Sequence, residues 1–335
     1  MSPRLLLVFA LLVLPATHAQ QRTQEEPSPE QLGAQQAYLQ RVADTLATQA
    51  GERKLALAAL LRGAATQAQD ADAPSGPVRD AQAQAWVQAA AKNPGGDAQA
   101  DRLLVAAAAP DHPLRLAAVR RWQSADPGNL VPLLHAGLDV DALLAQARGV
   151  SRADARLYED VRWIASTLRR YPPSVAEQAA IAGGQPFHGD EAAAITAMVL
   201  WAANATPAYA VLVEGCGERM LRALPARRAD CRHVAAVLSD TSTTIAGQHA
   251  GLAMLHALAA DAGERAQVAS RQRRMDWRML QWGRLAREQP RGGAAQFVRL
   301  LSDPDIRTEQ QLVARVLAEA GVPSDPPPGW TPPRR

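Results

Sequence analysis

The chain has 335 residues and a formal charge of +3, with 47% hydrophobic and 21% charged residues, a globular balance that excludes a polypeptide disordered throughout. Alanine supplies 71 residues, whereas aromatic residues make up 4% and isoleucine occurs five times, so the side chains that fill β-sheets are scarce. Alanine loses no side-chain entropy in a helix, and the composition therefore points to an all-α fold.

At the start, Arg4 precedes the apolar run Leu5–Leu14, and Pro15, Ala16, Thr17, His18 and Ala19 follow. A positive beginning, a short apolar run and small residues at 17 and 19 form a signal-peptide pattern, with cleavage expected between Ala19 and Gln20. The run is too short to span a bilayer comfortably, and no second apolar run of spanning length is expected. No cysteine follows it for lipid attachment. Residues 1–19 thus read as a signal peptide and 20–29 as a disordered lead-in, and loss of Arg4 lowers the charge to +2. Only Lys54 and Lys92 are lysines among the 36 basic residues. An arginine- and alanine-rich usage of this kind fits GC-rich codons, and with the cleavage pattern it suggests the periplasm of a Gram-negative bacterium.

Residues 30–320 read as one helical domain. Ser28, Pro29 and Gln31 form a helix-start signal, and Ser174 with Glu177 and Thr308 with Gln311 have capping-box spacing. Breaks are expected at 70–77, 93–96, 110–113, 126–129, 171–174 and 182–189. They leave segments of ordinary helix length. Trp86, Trp122, Trp163 and Trp201 recur at a spacing near 38 and Trp277 lies two such steps on. That period fits stacked antiparallel helical hairpins, an α-solenoid-like arrangement, with an irregular helical bundle as the alternative. After Gly321 and Pro323, residues 321–335 are proline-rich and cannot be helical, so a disordered or polyproline II tail is expected.

Residues 120–138, RRWQSADPGNLVPLLHAGL, resemble the junction of tetratricopeptide and Sel1-like repeats, where an Asp-Pro-x-Asn turn separates two amphipathic helices. The resemblance covers under a tenth of the chain, and the small-residue positions of such repeats do not recur in register elsewhere. The chain as a whole is similar to secreted, alanine-rich helical proteins of Gram-negative bacteria. The resemblance implies a scaffold for protein contacts and carries over no catalytic residue.

Cys216 and Cys231 are the two cysteines, and a close even pair in an exported protein reads as a disulfide. Pro225 lies between them, so the bridge would staple a short helix to the start of the next. The alternative, a redox or metal pair, lacks C-x-x-C spacing.

No nucleophile elbow, His-Glu-x-x-His, P-loop or dinucleotide fingerprint occurs, and neither a cofactor nor a metal site is expected. His249 and His256 lie two turns apart on a helix, about 10 Å along its axis, which suits packing better than one metal ion. His188, Asp190 and Glu191 resemble an active-site loop and are the only residues to name for an alternative role as a cell-envelope hydrolase or lyase. The two carboxylates also sit where a helix start favours negative charge. Asp240 to Thr244 could hold a nucleophile or form a helix cap.

The most distinctive surface is residues 271–291, RQRRMDWRMLQWGRLAREQPR, whose arginines face only Asp276 and Glu288. On a helix, Met275, Leu280, Trp282 and Leu285 form an apolar side with Arg274, Arg278 and Arg284 elsewhere. Arg271, Arg273, Arg274, Trp277, Arg278 and Trp282 are the candidate binding residues. Such a helix suits a partner groove, or an anionic membrane surface by weak contact, or it is a packed helix with solvated arginines. Nucleic acid is a poor partner for an exported chain of low net charge. The leading expectation is a non-enzymatic exported scaffold for protein or peptide partners in the cell envelope.

Overall fold

A computed structural model describes residues 28–67, 80–92, 95–182, 188–288 and 290–333. The expected signal peptide and its cleavage point, most of the lead-in and the break at 70–77 lie outside the described residues. The fold is all-α, with no β-strand among the described residues. The helices are α1 (Pro29–Ala47), α2 (Glu52–Gln67), α3 (Ala81–Lys92), α4 (Ala98–Ala107), α5 (Pro113–Ala125), α6 (Leu130–Leu134), α7 (Val140–Gln146), α8 (Leu157–Arg169) and α9 (Val175–Ala182). They continue as α10 (Gly189–Ala205), α11 (Ala210–Gly215), α12 (Glu218–Ala223), α13 (Arg228–Thr241), α14 (Ile245–Leu258), α15 (Ala262–Glu288), α16 (Pro290–Ser302) and α17 (Glu309–Glu319).

The chain forms two compact units, each assembled from two stretches of sequence. Of the described residues, unit 1 joins those up to Trp122 with those of 160–206, and unit 2 joins Gln123–Glu159 with those from Pro207 onward.

In unit 1, α2 is the centre. Its sequence, ERKLALAALLRGAATQ, is apolar nearly all round, and Ala56 to Leu61 and Ala65 are buried. A helix of that kind must be surrounded, and small alanine side chains let neighbours approach from several sides. α2 touches α1, α3, α4 and α10. Helices far apart in sequence also meet, α1 with α9 and α4 with α10. In a solenoid each repeat touches only its neighbours. The stacked-hairpin arrangement is therefore not confirmed. Trp86, Trp122, Trp163 and Trp201 stand at differing positions within α3, α5, α8 and α10.

Ion pairs tie unit 1 together. Asp160, in α8, accepts from Gln99 Nε2 at 3.0 Å and from Arg102 Nε and Nη2 at 2.9 and 2.7 Å, and the Arg102 and Asp160 side chains are 7% and 3% exposed. Between α1 and α9, Arg41 donates twice to the Glu177 carboxylate, at 2.8 Å each, and once to the Pro172 carbonyl at 3.0 Å. That guanidinium, with the Ser174 backbone N–H, holds Glu177 down at about 2. The same Arg41 lies over the Tyr38 ring, whose hydroxyl burial pushes up to about 12.

In unit 2, α13 and α14 pack face to face. Gly247 and Gly251, one turn apart on α14, make the close approach possible: a Cβ at Gly251 would lie 2.3 Å from the Ser239 nitrogen. The disulfide Cys216–Cys231 is present, with Cα atoms 5.7 Å apart and both residues fully buried. It links the end of α11 to the start of α13 around α12 and the Pro225 turn, as the sequence suggested. The Asp126-Pro127-Gly128-Asn129 turn follows α5, and the fully buried Asn129 side chain uses both ends: Nδ2 donates to Asp126 and the Asp154 carbonyl, and Oδ1 accepts from the Val131 and Asp154 N–H groups. The helix after the turn, α6, has only five residues.

Helix starts follow the sequence closely. Ser28 and Gln31, Ser174 and Glu177, and Thr308 and Gln311 each form reciprocal capping boxes. Thr244 caps α14 through the Gly247 N–H. Asp190 and Glu191 stand in the first turn of α10. The stretch Gly189–Gly215 is apolar and long enough to cross a membrane by composition, a run the sequence reading did not anticipate; its helix is interrupted between α10 and α11, and a third of its most apolar window is buried.

The tail is non-helical, as proline content requires, yet it is not detached. Trp277 Nε1 donates to the Pro323 carbonyl at 2.9 Å, Arg278 Nε donates to the Ser324 carbonyl at 3.0 Å, and Trp330 meets the Trp277 ring edge-on with centroids 5.3 Å apart. Pro323, Ser324 and Trp330 thus lie against α15.

Candidate functional site

Most of the arginine-rich segment, residues 271–288, lies in one long helix, α15, of 27 residues, and Pro290 begins α16. Residues three and four apart share a helix face, so Arg271, Arg274 and Arg278 rise in one row with Met275 and Met279 beside them. This row borders a groove of about 200 Å³ in unit 2. Ile245, Gln248 and Leu252 of α14 and Gln310 and Val313 of α17 complete its lining. Five apolar side chains, Ile245, Leu252, Met275, Met279 and Val313, thus share the lining with two amides and three guanidinium groups.

The three arginines are held differently. Arg271 is 29% exposed and bound to α13, donating to the Asp240 carboxylate at 2.6 Å and the Ser239 carbonyl at 3.1 Å. Arg278 gives its Nε to the tail at Ser324, a neutral partner, and has no ion pair among the described residues. Arg274 is exposed and has no ion pair among the described residues. Asp276, the acid nearest in sequence, is turned toward α14: its carboxylate accepts from Gln272 Nε2 at 3.0 Å and lies 3.6 Å from His249.

Gln310 supplies the second polar element. Its Nε2 donates to the Ser242 and Thr244 carbonyls at 3.1 Å each, which fixes which end of the amide is nitrogen. Its Oε1 is buried and accepts no hydrogen bond. Next to it in sequence, Glu309 accepts from the Ile245 N–H at 2.7 Å, and burial raises its carboxyl above the usual range.

Of the candidate binding residues, Arg271, Arg274 and Arg278 line the groove, whereas Trp277 is engaged by the tail, Arg273 is exposed and Trp282 is half-buried. Of the apolar side expected on this helix, Met275 is buried and Leu280, Trp282 and Leu285 are half-buried. Sequence reasoning missed Gln248, Gln310 and Val313, which arrive from other helices and carry no local signal of a site.

The other candidates disperse. Asp190 pairs with Arg169 at 3.2 Å beside a small hollow of about 110 Å³ in unit 1, and exposed His188 caps α10 without a side-chain hydrogen bond. His249 packs against Gln272 of α15 at 2.9 Å, and His256 is exposed. Among the described residues no group of three or more His, Cys, Asp or Glu side chains could hold a metal ion. No protein-family model, no curated protein and no solved structure matches the chain.

Proposed function

We propose that this protein is an exported, periplasmic helical scaffold that binds a protein or peptide partner of the cell envelope through the α15 groove. The observation that carries the reading is the row of Arg271, Arg274 and Arg278 beside the apolar Ile245, Leu252, Met275, Met279 and Val313, charge to steer a partner next to apolar side chains to hold one. The signal-peptide pattern at residues 1–19 supports export, and the buried Cys216–Cys231 bridge is the kind that persists in an oxidising compartment. The test is in-cell crosslinking of the C-terminally tagged protein, with mass spectrometry against an unrelated periplasmic control. Reproducible enrichment of one or two envelope proteins, lost in an Arg274→Glu/Arg278→Glu variant, is the expected result. A protein recovered as a free monomer would contradict it and turn attention to a polymer or small-molecule substrate.

A further inference from the structure

We infer that the face of α15 carrying Trp277 and Arg278 is a binding surface for proline-rich peptide segments, and that the chain's own tail, residues 323–330, occupies it in cis. This goes beyond the scaffold reading, because it names a second surface, which shares Arg278 with the groove, and the class of segment that fits it. Donors and acceptors match across the contact. Proline has no backbone N–H, so a segment holding Pro323, Pro326, Pro327 and Pro328 offers carbonyl acceptors and few donors. α15 answers with side-chain donors on two successive residues: Trp277 Nε1 gives to the Pro323 carbonyl at 2.9 Å and Arg278 Nε to the Ser324 carbonyl at 3.0 Å. Indole and guanidinium groups donate and cannot accept, so the pair selects exposed carbonyls, and aromatic side chains that receive proline-rich segments are a recurring mode of peptide recognition.

The segment is also shaped for the contact. The Trp330 N–H donates to the Pro327 carbonyl at 3.1 Å across Pro328 and Gly329, and Gly329 has a φ of 78°. These are the marks of a type II turn, in which proline presets the first central residue and glycine takes the left-handed second. The turn brings the Trp330 ring edge-on to Trp277, with centroids 5.3 Å apart. Because proline fixes φ before docking, such a segment loses little conformational freedom when it binds. Its attachment is light. Both hydrogen bonds to α15 use neutral carbonyls, and Pro323, Ser324, Asp325, Pro327, Pro328 and Gly329 stay exposed. A segment held in this way on a short tether from α17 is a competitor that a second segment of the same chemistry displaces.

The experiment uses the full mature chain, fluorescence anisotropy and a labelled peptide of residues 321–333 as the probe. Trp330→Ala removes the ring contact of the cis segment and leaves the helices untouched. The peptide should bind this variant, and bind the unaltered chain about tenfold less tightly because the cis segment competes. Adding Trp277→Phe, which keeps a ring but removes the indole N–H, should weaken the peptide about fivefold with unchanged circular dichroism. A peptide with its four prolines from 323 to 328 replaced by alanine should bind about tenfold less tightly or worse. Equal binding to the unaltered and Trp330→Ala chains, equal binding of the alanine peptide, or no binding to Trp330→Ala at about 1 mM peptide, the concentration a short tether imposes, would overturn the inference. If the peptide fails while crosslinking in cells still captures a partner, the inference falls and the scaffold reading stands; if the peptide binds as expected and crosslinking captures nothing, the scaffold reading falls and the inference stands.

Discussion

Replacing Gly251 with alanine tests how closely α13 and α14 approach. The added Cβ would lie 2.3 Å from the Ser239 nitrogen, 2.8 Å from the Ala235 oxygen and 2.8 Å from Leu238 Cβ. Two of these are backbone atoms of α13, which cannot swing aside as a flexible side chain can, so the helices must separate by about 1 Å to restore ordinary contact. Overpacking of this sort costs about 1–3 kcal/mol, and rigid backbone neighbours place it toward the upper end. Alanine is better than glycine in a helix interior by about 1 kcal/mol, which offsets part of the cost. The expected net is a loss of about 1–2 kcal/mol. Gly33, on α1, is the control, because a Cβ there meets nothing within 4 Å and its exposed position leaves only the propensity gain of about 1 kcal/mol. Urea unfolding followed by circular dichroism reads both variants, with each resolved transition fitted separately because the chain has two units. A Gly251→Ala protein stabilised as much as Gly33→Ala would refute the close packing of α13 on α14.

Three further outcomes follow from the interactions described. Replacing both Cys216 and Cys231 with serine should cost about 3 kcal/mol for a closed loop of this size, read as a lower urea midpoint that reducing agent no longer shifts. Asp160→Ala should cost about 3–5 kcal/mol by stranding Arg102, and the paired Arg102→Met/Asp160→Leu protein should recover much of it; equal losses in the two would contradict a buried, mutually satisfied pair. Glu177 is held at about 2 against an ordinary 4.5, so its pairing stabilises fully above 4.5 and is lost as pH falls toward 2. Glu177→Gln should therefore flatten the acid-side fall in thermal midpoint between those values, and an unchanged profile would show that Arg41 does not hold the carboxylate.

Local signals in the sequence were legible because their physics is local. A capping box needs only a hydroxyl and a carboxylate or amide three residues apart, and Ser28, Ser174 and Thr308 each formed one. The disulfide was readable for the same reason, since Pro225 and a short helix close the loop between Cys216 and Cys231. What joins distant residues was not. The division into two units depends on α1 meeting α9 and α4 meeting α10, and no neighbouring residue announces either contact. Gly247 and Gly251 did carry a visible signal, since their four-residue spacing puts both on one face, but the partner helix that gives the spacing meaning lies outside the motif. Arginine-rich α15 stands out by composition alone, whereas Gln310, which lines the same groove, looks like any polar residue in the first turn of α17. The engagement of Trp277 and Arg278 is invisible locally because their partners, Pro323 and Ser324, sit 46 residues further on.

The most direct measurement places a photo-crosslinking amino acid at Arg274, on the rim of the groove, and in a second protein at Val175, which is 85% exposed in unit 1. Illumination of living cells expressing each protein then reports which surface a partner touches. A discrete crosslinked envelope protein from position 274 and none from position 175 is the result this account expects. Equal capture from both positions, or capture from 175 alone, would contradict the assignment of the α15 groove as the binding surface.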